Sequence, residues 1–150
     1  MKILIDTREQ LPFKFDRYGV QVERGTLPVG DYSIPGFEDR VSIERKSLDD
    51  LIGCLMGKNR VRFERELCKG TSYEVFNVVI EAPFTDLIHG RYQNHMRRKG
   101  AVQSVMAFAV RYRTSFVSAG SRPLAEHETY SLSEKFIYEI RKRYQIATGT

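Results

Sequence analysis

Val41-Ser42-Ile43-Glu44-Arg45-Lys46-Ser47-Leu48-Asp49-Asp50-Leu51-Ile52 changes its hydrophobic period partway along. Up to Lys46, apolar and polar residues alternate well enough for a strand, whose side chains leave opposite faces in turn. Ser47 is a helix N-cap, with Asp50 three residues on as a capping-box acid. Leu48, Leu51, Ile52, Leu55 and Met56 then recur at helical spacing as one apolar stripe, and Gly57 is the expected stop. A strand that runs directly into an amphipathic helix is a building unit of an α/β fold.

Working outward, Lys2–Ile5 reads as a first strand ending at Asp6. Thr26–Ile34 is expected to be extended, with Pro28 where a strand tolerates it. Glu38-Asp39 turns the chain, so this segment and Val41–Lys46 form a hairpin. Downstream, a second helix starts near Asn59, with Phe63 and Leu67 inward, Arg60, Arg62 and Arg65 mostly outward, and Gly70 at its end. Phe76–Ile80 is a continuous apolar run, as in a buried central strand. Residues 84–100 read as irregular. Val102, Val105, Met106 and Ala109 mark a third helix, Ser115–Ser118 a short strand, and Ser121-Arg122-Pro123 the start of a last helix carrying Phe136, Ile137 and Ile140. The expected architecture is an α/β sandwich, a central mixed sheet flanked by helices. No repeat, low-complexity tract or linker divides the 150 residues, so 1–150 reads as one domain.

Composition is that of an ordinary globular protein, 41% hydrophobic and 29% charged. No apolar run is long enough to cross a bilayer, and the apolar start meets Asp6 too soon for a signal peptide, so the expected location is cytoplasmic. Cys54 and Cys68 belong to no Cys-x-x-Cys pair and read as reduced thiols, without zinc or disulfide. The net charge of +5 is uneven: residues 1–75 hold 13 basic and 13 acidic residues, residues 76–150 hold 11 and 6. A basic half beside a half rich in carboxylates suits an enzyme that attracts a polyanion and chelates cations, though an ordinary basic protein has the same balance.

Cleaving a phosphodiester requires a divalent cation on the phosphate, an activated water and charge relief in the transition state. Magnesium and manganese prefer hard oxygen ligands. A hairpin can bring Asp31 and Glu44 together, and Lys46, two residues beyond Glu44, leaves the same strand face. A carboxylate pair beside an ammonium could hold a metal and orient or deprotonate a water, while Arg45 points to the other face. Singly, Asp31 is an ordinary turn residue after glycine, and Glu44 with Lys46 an ordinary ion pair. Together they sit among Ile43, Leu48 and Leu51, where charges are costly unless paired or functional. Asp6 is a candidate third metal carboxylate. Arg8 is a candidate phosphate clamp or a partner for Glu9. Asp50 is a capping acid that could also fix Arg45 or Lys46.

Gly30-Asp31 … Glu44-Arg45-Lys46-Ser47-Leu48-Asp49-Asp50 resembles the GD…ERKxxxD signature of the XPF-type structure-specific endonuclease domain. Leu4-Ile5-Asp6-Thr7-Arg8-Glu9 resembles the opening motif of that family. Arg60 resembles the arginine of its following helix, although glutamine is common there where this chain has Glu64. The resemblance runs over nearly the whole chain. It implies a restriction-endonuclease-like three-layer sandwich and Mg²⁺- or Mn²⁺-dependent incision of branched DNA, or of DNA with single-strand/double-strand junctions. By position, Asp31 and Glu44 resemble the metal ligands with Asp6 nearby, Lys46 the catalytic lysine, and Arg8, Arg45 and Asp50 the supporting residues. Family members usually continue into a tandem helix-hairpin-helix domain, for which these residues leave no room. The expectation is therefore a stand-alone nuclease domain of the kind small bacterial or phage proteins carry.

Arg91, Tyr92, Arg97, Arg98 and Lys99 lie in a basic stretch that could neutralise phosphates, with Tyr92 stacking on an unpaired base, or be a solvated loop. Arg60 joins them as a DNA-binding candidate. His89, His95 and His127 have no metal-ligand spacing, and Arg141-Lys142-Arg143 reads as helix-end charge. Two functions remain open. One is a catalytic endonuclease. The other is a DNA-binding or scaffold subunit on the same fold, against which the retained Asp31, Glu44, Lys46 and Asp50 speak. A homodimer through the helical side, or a protein partner, is the expected source of further DNA affinity.

Overall fold

The computed structural model describes residues 1–150. Its elements run β1 (Lys2–Asp6), β2 (Gln21–Gly25), β3 (Tyr32–Ser33), β4 (Val41–Lys46), α1 (Leu48–Gly53), α2 (Gly57–Gly70), β5 (Val75–Ile80), α3 (Phe84–Ile88), α4 (Arg98–Tyr112), β6 (Ser115–Ser118) and α5 (Arg122–Thr148). The strands form one mixed sheet in the order β2-β1-β3-β4-β5-β6. β3 is antiparallel to both its neighbours, and the β1–β2, β4–β5 and β5–β6 pairs are parallel. No helix is long and apolar enough to cross a membrane.

Alternation along the strands sorts the core into two layers. Val78 and Ile80 point to the face covered by α1, α2 and α4, where they meet Leu51, Ile52, Phe63, Leu67 and Phe108. Ile3, Ile5, Ile43 and Val79 point to the other face and pack with Phe13, Phe15, Tyr32 and Ala125 of α5. Val41 and Phe136 extend that second layer. The result is the expected three-layer sandwich. Each fully buried leucine or isoleucine contributes about 1.5–3 kcal/mol to it.

Around the quoted stretch the sequence reading holds, with one change. Ser47 caps α1, its Oγ accepting the Asp50 N–H at 3.1 Å. The helix is shorter than its apolar stripe: it ends at Gly53, and Leu55 is buried in the turn beyond. Gly57, at φ +57°, therefore opens α2 and does not close α1. Further out, 84–100 is not wholly irregular, since it holds α3 and the first turn of α4. Met106 is exposed, and Phe108 is the deep anchor of α4. β2 escaped the sequence reading because it is an exposed edge strand with no buried face to enforce alternation. Thr26–Ile34 keeps only Tyr32–Ser33 as strand.

Gly30 is the reason for that shortening. Its φ of +81° breaks the extended chain immediately before Asp31. A Cβ there would fall inside contact distance of Ser42 Oγ, and that hydroxyl is itself committed, donating to Val29 O at 2.6 Å. Both the backbone angle and the space demand glycine. Gly30→Ala is expected to lower the unfolding free energy by roughly 2–4 kcal/mol, read as a fall in the urea midpoint with an unchanged slope.

Candidate active site

Asp31 immediately precedes β3, and Glu44 and Lys46 lie near the end of β4. Continuing the antiparallel register Tyr32↔Ile43 by one residue sets Asp31 across from Glu44. Asp31 is fastened to β4 twice: its N–H donates to Ile43 O at 2.9 Å, and its Oδ2 accepts the Arg45 N–H at 2.7 Å. Its other oxygen has no protein donor. Glu44 is 8% exposed. Its Oε1 lies 2.9 Å from Lys46 Nζ, as two residues on one strand face should. The three side chains open into a cleft of about 640 Å³, whose far wall is α2 with Asn59, Arg62, Phe63 and Glu66.

Burial and the neighbouring Glu44 charge push the Asp31 carboxyl up to about 8. Burial likewise lifts Glu44 above the usual carboxylate range although Lys46 pulls it down, and Glu66 adds to the rise. Burial works against the Lys46 ammonium, but Glu44 outweighs it and holds the lysine above its ordinary value. Two carboxylates are thus crowded together with more negative charge than one lysine neutralises. Each keeps an oxygen without a protein donor. This donor set fits a hard dication, the remaining positions being left to water and phosphate.

Arg45 leaves the opposite strand face, as expected, and meets partners that the local sequence does not reveal. Its Nε and Nη2 grip both oxygens of Glu9 at 2.9 Å each. Its Nη1 donates to Glu81 Oε1 at 2.9 Å, which also accepts from Arg122 Nη1 at 2.8 Å. The Glu9 bond, opposing burial, holds the Arg45 charge firmly, and Arg45 in turn overrides burial to keep Glu9 below its ordinary value.

Several expected roles change. Asp6 does not line the cleft. It is 1% exposed, and its oxygens accept the Arg8 Nε and N–H at 2.8 and 2.9 Å, Arg8 Nη2 at 3.1 Å and the Leu27 N–H at 2.7 Å. A carboxylate so enclosed anchors a loop. Arg8 holds Asp6 and not Glu9. Asp50 lines the cleft but pairs with neither Arg45 nor Lys46; Ser47 binds only its backbone N–H. Arg60 is outside the cleft, bonded to Leu55 O and Ser104 Oγ at 2.9 Å each and lying over Phe108. Tyr92 is a staple of its own loop, its hydroxyl donating to Met96 O at 2.7 Å and its ring packed on the core. Arg91 is paired with Asp86 at 3.2 Å. Arg97, Arg98 and Lys99 are exposed and form no ion pairs. Glu81, Arg122 and Glu66 escaped the sequence reading because nothing in their local patterns separates them from solvated charges.

Comparison with known proteins gives the family and relatives of the fold. The model of the ERCC4 domain matches residues 5–131. DNA repair protein RAD1 of Saccharomyces cerevisiae is 36% identical over 74 residues, which cover 47% of this chain and 6% of that protein. XPF from Aeropyrum pernix, in a structure of its complex with DNA, superposes with a TM-score of 0.71 at 21% identity, covering 92% of this chain and 66% of that one. A second structure of the same protein gives 0.70 at 21% identity, covering 89% and 60%. The chain therefore spans less than two thirds of each of these relatives, and at such identity the structural likeness carries the fold.

The raised Asp31 carboxyl gives a pH test. The folded chain keeps a proton that the unfolded chain releases near the ordinary aspartate value of 3.8. Metal-free stability should then fall as pH rises from about 4 to about 8. Asp31→Asn, which retains an acceptor for the Arg45 N–H, is expected to melt several degrees above the wild type at the alkaline end of that window. The gap should close toward the acid end, as followed by calorimetry in chelator.

Proposed function

The chain belongs to the ERCC4 domain family, and from that premise we propose that it is a Mg²⁺- or Mn²⁺-dependent DNA endonuclease. The observation that carries the reading is the Asp31–Glu44–Lys46 cluster, two mutually repelling carboxylates and an ammonium at one end of the sheet, open to a cleft. Asp31 and Glu44 would hold the cation. Asp6 is better suited to anchoring Arg8 and the β1 end, since its oxygens are already engaged. When bound, such an ion supplies Lewis-acid polarisation of the phosphate and a more acidic water. Lys46 stays an ammonium because Glu44 faces it, so it serves as hydrogen-bond donor to the attacking water or to a phosphate oxygen, and not as the base. Arg45 keeps the strand end and the Glu9 loop in register, which preserves the spacing of Asp31 and Glu44. The XPF-type resemblance points to branched or junction-containing DNA as the substrate class.

Binding is assigned to Arg97, Arg98 and Lys99 at the start of α4. Cations in a first helical turn oppose the helix dipole, at a cost of about 0.3–1 kcal/mol each. A bound phosphate reverses that cost, whereas a purely structural helix start would favour acids. Replacing all three with alanine is expected to weaken binding to a forked duplex and reduce the dependence of log affinity on log salt by up to about three contacts. Manganese binding should not change.

Glu44→Gln keeps the shape and removes a charge. It should reduce cleavage of a flap, fork and junction panel by roughly 10³-fold or more and weaken manganese binding. Lys46→Met should lose cleavage to a similar extent while sparing manganese binding, since an ammonium repels the cation. Wild-type cleavage rates in Glu44→Gln would show that the site is elsewhere. A wild type that binds these DNAs and cuts none with either metal would replace the nuclease with a DNA-binding scaffold.

A further inference from the structure

Six carboxylates and four cations line the cleft, a balance that by itself repels DNA. Three of the cations are committed. Arg8 is bonded to Asp6, Arg45 to Glu9 and Glu81, and Lys46 to Glu44. The fourth, Arg62, is exposed and makes neither an ion pair nor a hydrogen bond. It lies on α2 one turn from Asn59 and one turn from Glu66, and Phe63 beside it seats that helix in the core. Residues 59, 62, 63 and 66 share one helix face, and that face is the wall opposite Asp31 and Lys46. Arg62 has a potential i,i+4 partner in Glu66 but does not pair with it. A guanidinium with all its donors free, facing a site that handles phosphodiesters, has the chemistry of a phosphate fork.

We propose that Arg62 is a substrate-binding residue of this cleft, gripping a DNA backbone phosphate beside the one that lies over Asp31 and Glu44. Asn59 is the second donor on the same wall. The assignment rests on the nuclease reading and adds to it a contact on α2 that clamps the strand from the side opposite the sheet. It also exchanges roles between two neighbours. Arg60, which resembles the family arginine, is a tie between α2 and α4 through Ser104 and Phe108. Arg62 is the arginine that meets DNA.

The experiment measures binding of a fluorescein-labelled forked duplex over a salt series, with calcium in place of the catalytic metal, for wild type, Arg62→Ala, Arg62→Lys and Arg60→Ala. Arg62→Ala should bind roughly tenfold more weakly at low salt and reduce the salt slope by about one contact, with an unchanged melting temperature. Arg62→Lys should restore the slope, because a point charge still neutralises a phosphate. Arg60→Ala should melt at a lower temperature and keep the wild-type slope. If wild type binds and Arg62→Ala shows the same affinity and slope, the assignment is overturned and the nuclease reading stands. It is equally overturned if the slope falls in Arg60→Ala and not in Arg62→Ala. A wild type that binds no DNA removes the nuclease reading and this assignment together.

Discussion

The guanidinium of Arg45 lies between Glu9, from the loop after β1, and Glu81, at the end of β5, with Arg122 of α5 sharing Glu81. Four segments far apart in sequence thus meet through charge-assisted hydrogen bonds in a largely buried position. Removing one partner from such a group leaves an uncompensated charge, at a cost of about 3–5 kcal/mol. More depends on Arg45 than its side chain suggests, because its backbone N–H is the donor that holds Asp31. One residue therefore holds the sheet end together on one face and positions a candidate ligand on the other.

The other face carries the opposite electrostatic condition. Asp31 and Glu44 are kept close although each raises the other's cost of ionising, and Lys46 relieves only part of it. A structural ion network would be expected to satisfy itself, as the Arg45 group does. Strain concentrated in a cleft, with oxygens left unused, is the pattern of a site awaiting a ligand. The contrast between the two faces of one short strand, separated by the alternation of β4, is the strongest physical reason to place chemistry on the Glu44 side.

The basic surplus of the second half acts at longer range. Arg97, Arg98 and Lys99 project from the α4 start, while Arg91 and Tyr92 are occupied in holding their own loop. The docking of Gln93 N–H on Asp49 ties this loop to α1, next to the cleft. The segment that leads into these cations is thus joined to one wall of the cleft, whose other wall is α2.

Much of this was legible in the chain itself. The change of period at Lys46-Ser47, the cap at Ser47 and the shared face of Glu44 and Lys46 all follow from backbone geometry acting over a few residues. Local geometry is the same wherever the segment lies, so a sequence can reveal it. It could not show that Arg45 would find Glu9 and Glu81, each 36 positions away. Nor could it show that Asp6 would be closed off by Arg8 and Leu27, or that Arg60 would turn to α4 and leave the cleft to Arg62. These outcomes depend on which elements pack side by side, and a charged residue looks the same in sequence whether its neighbour in space is a carboxylate, an aromatic ring or water. β2 was hidden for a related reason, since an edge strand has no buried face to write a pattern, and only the pairing offered by β1 makes it a strand.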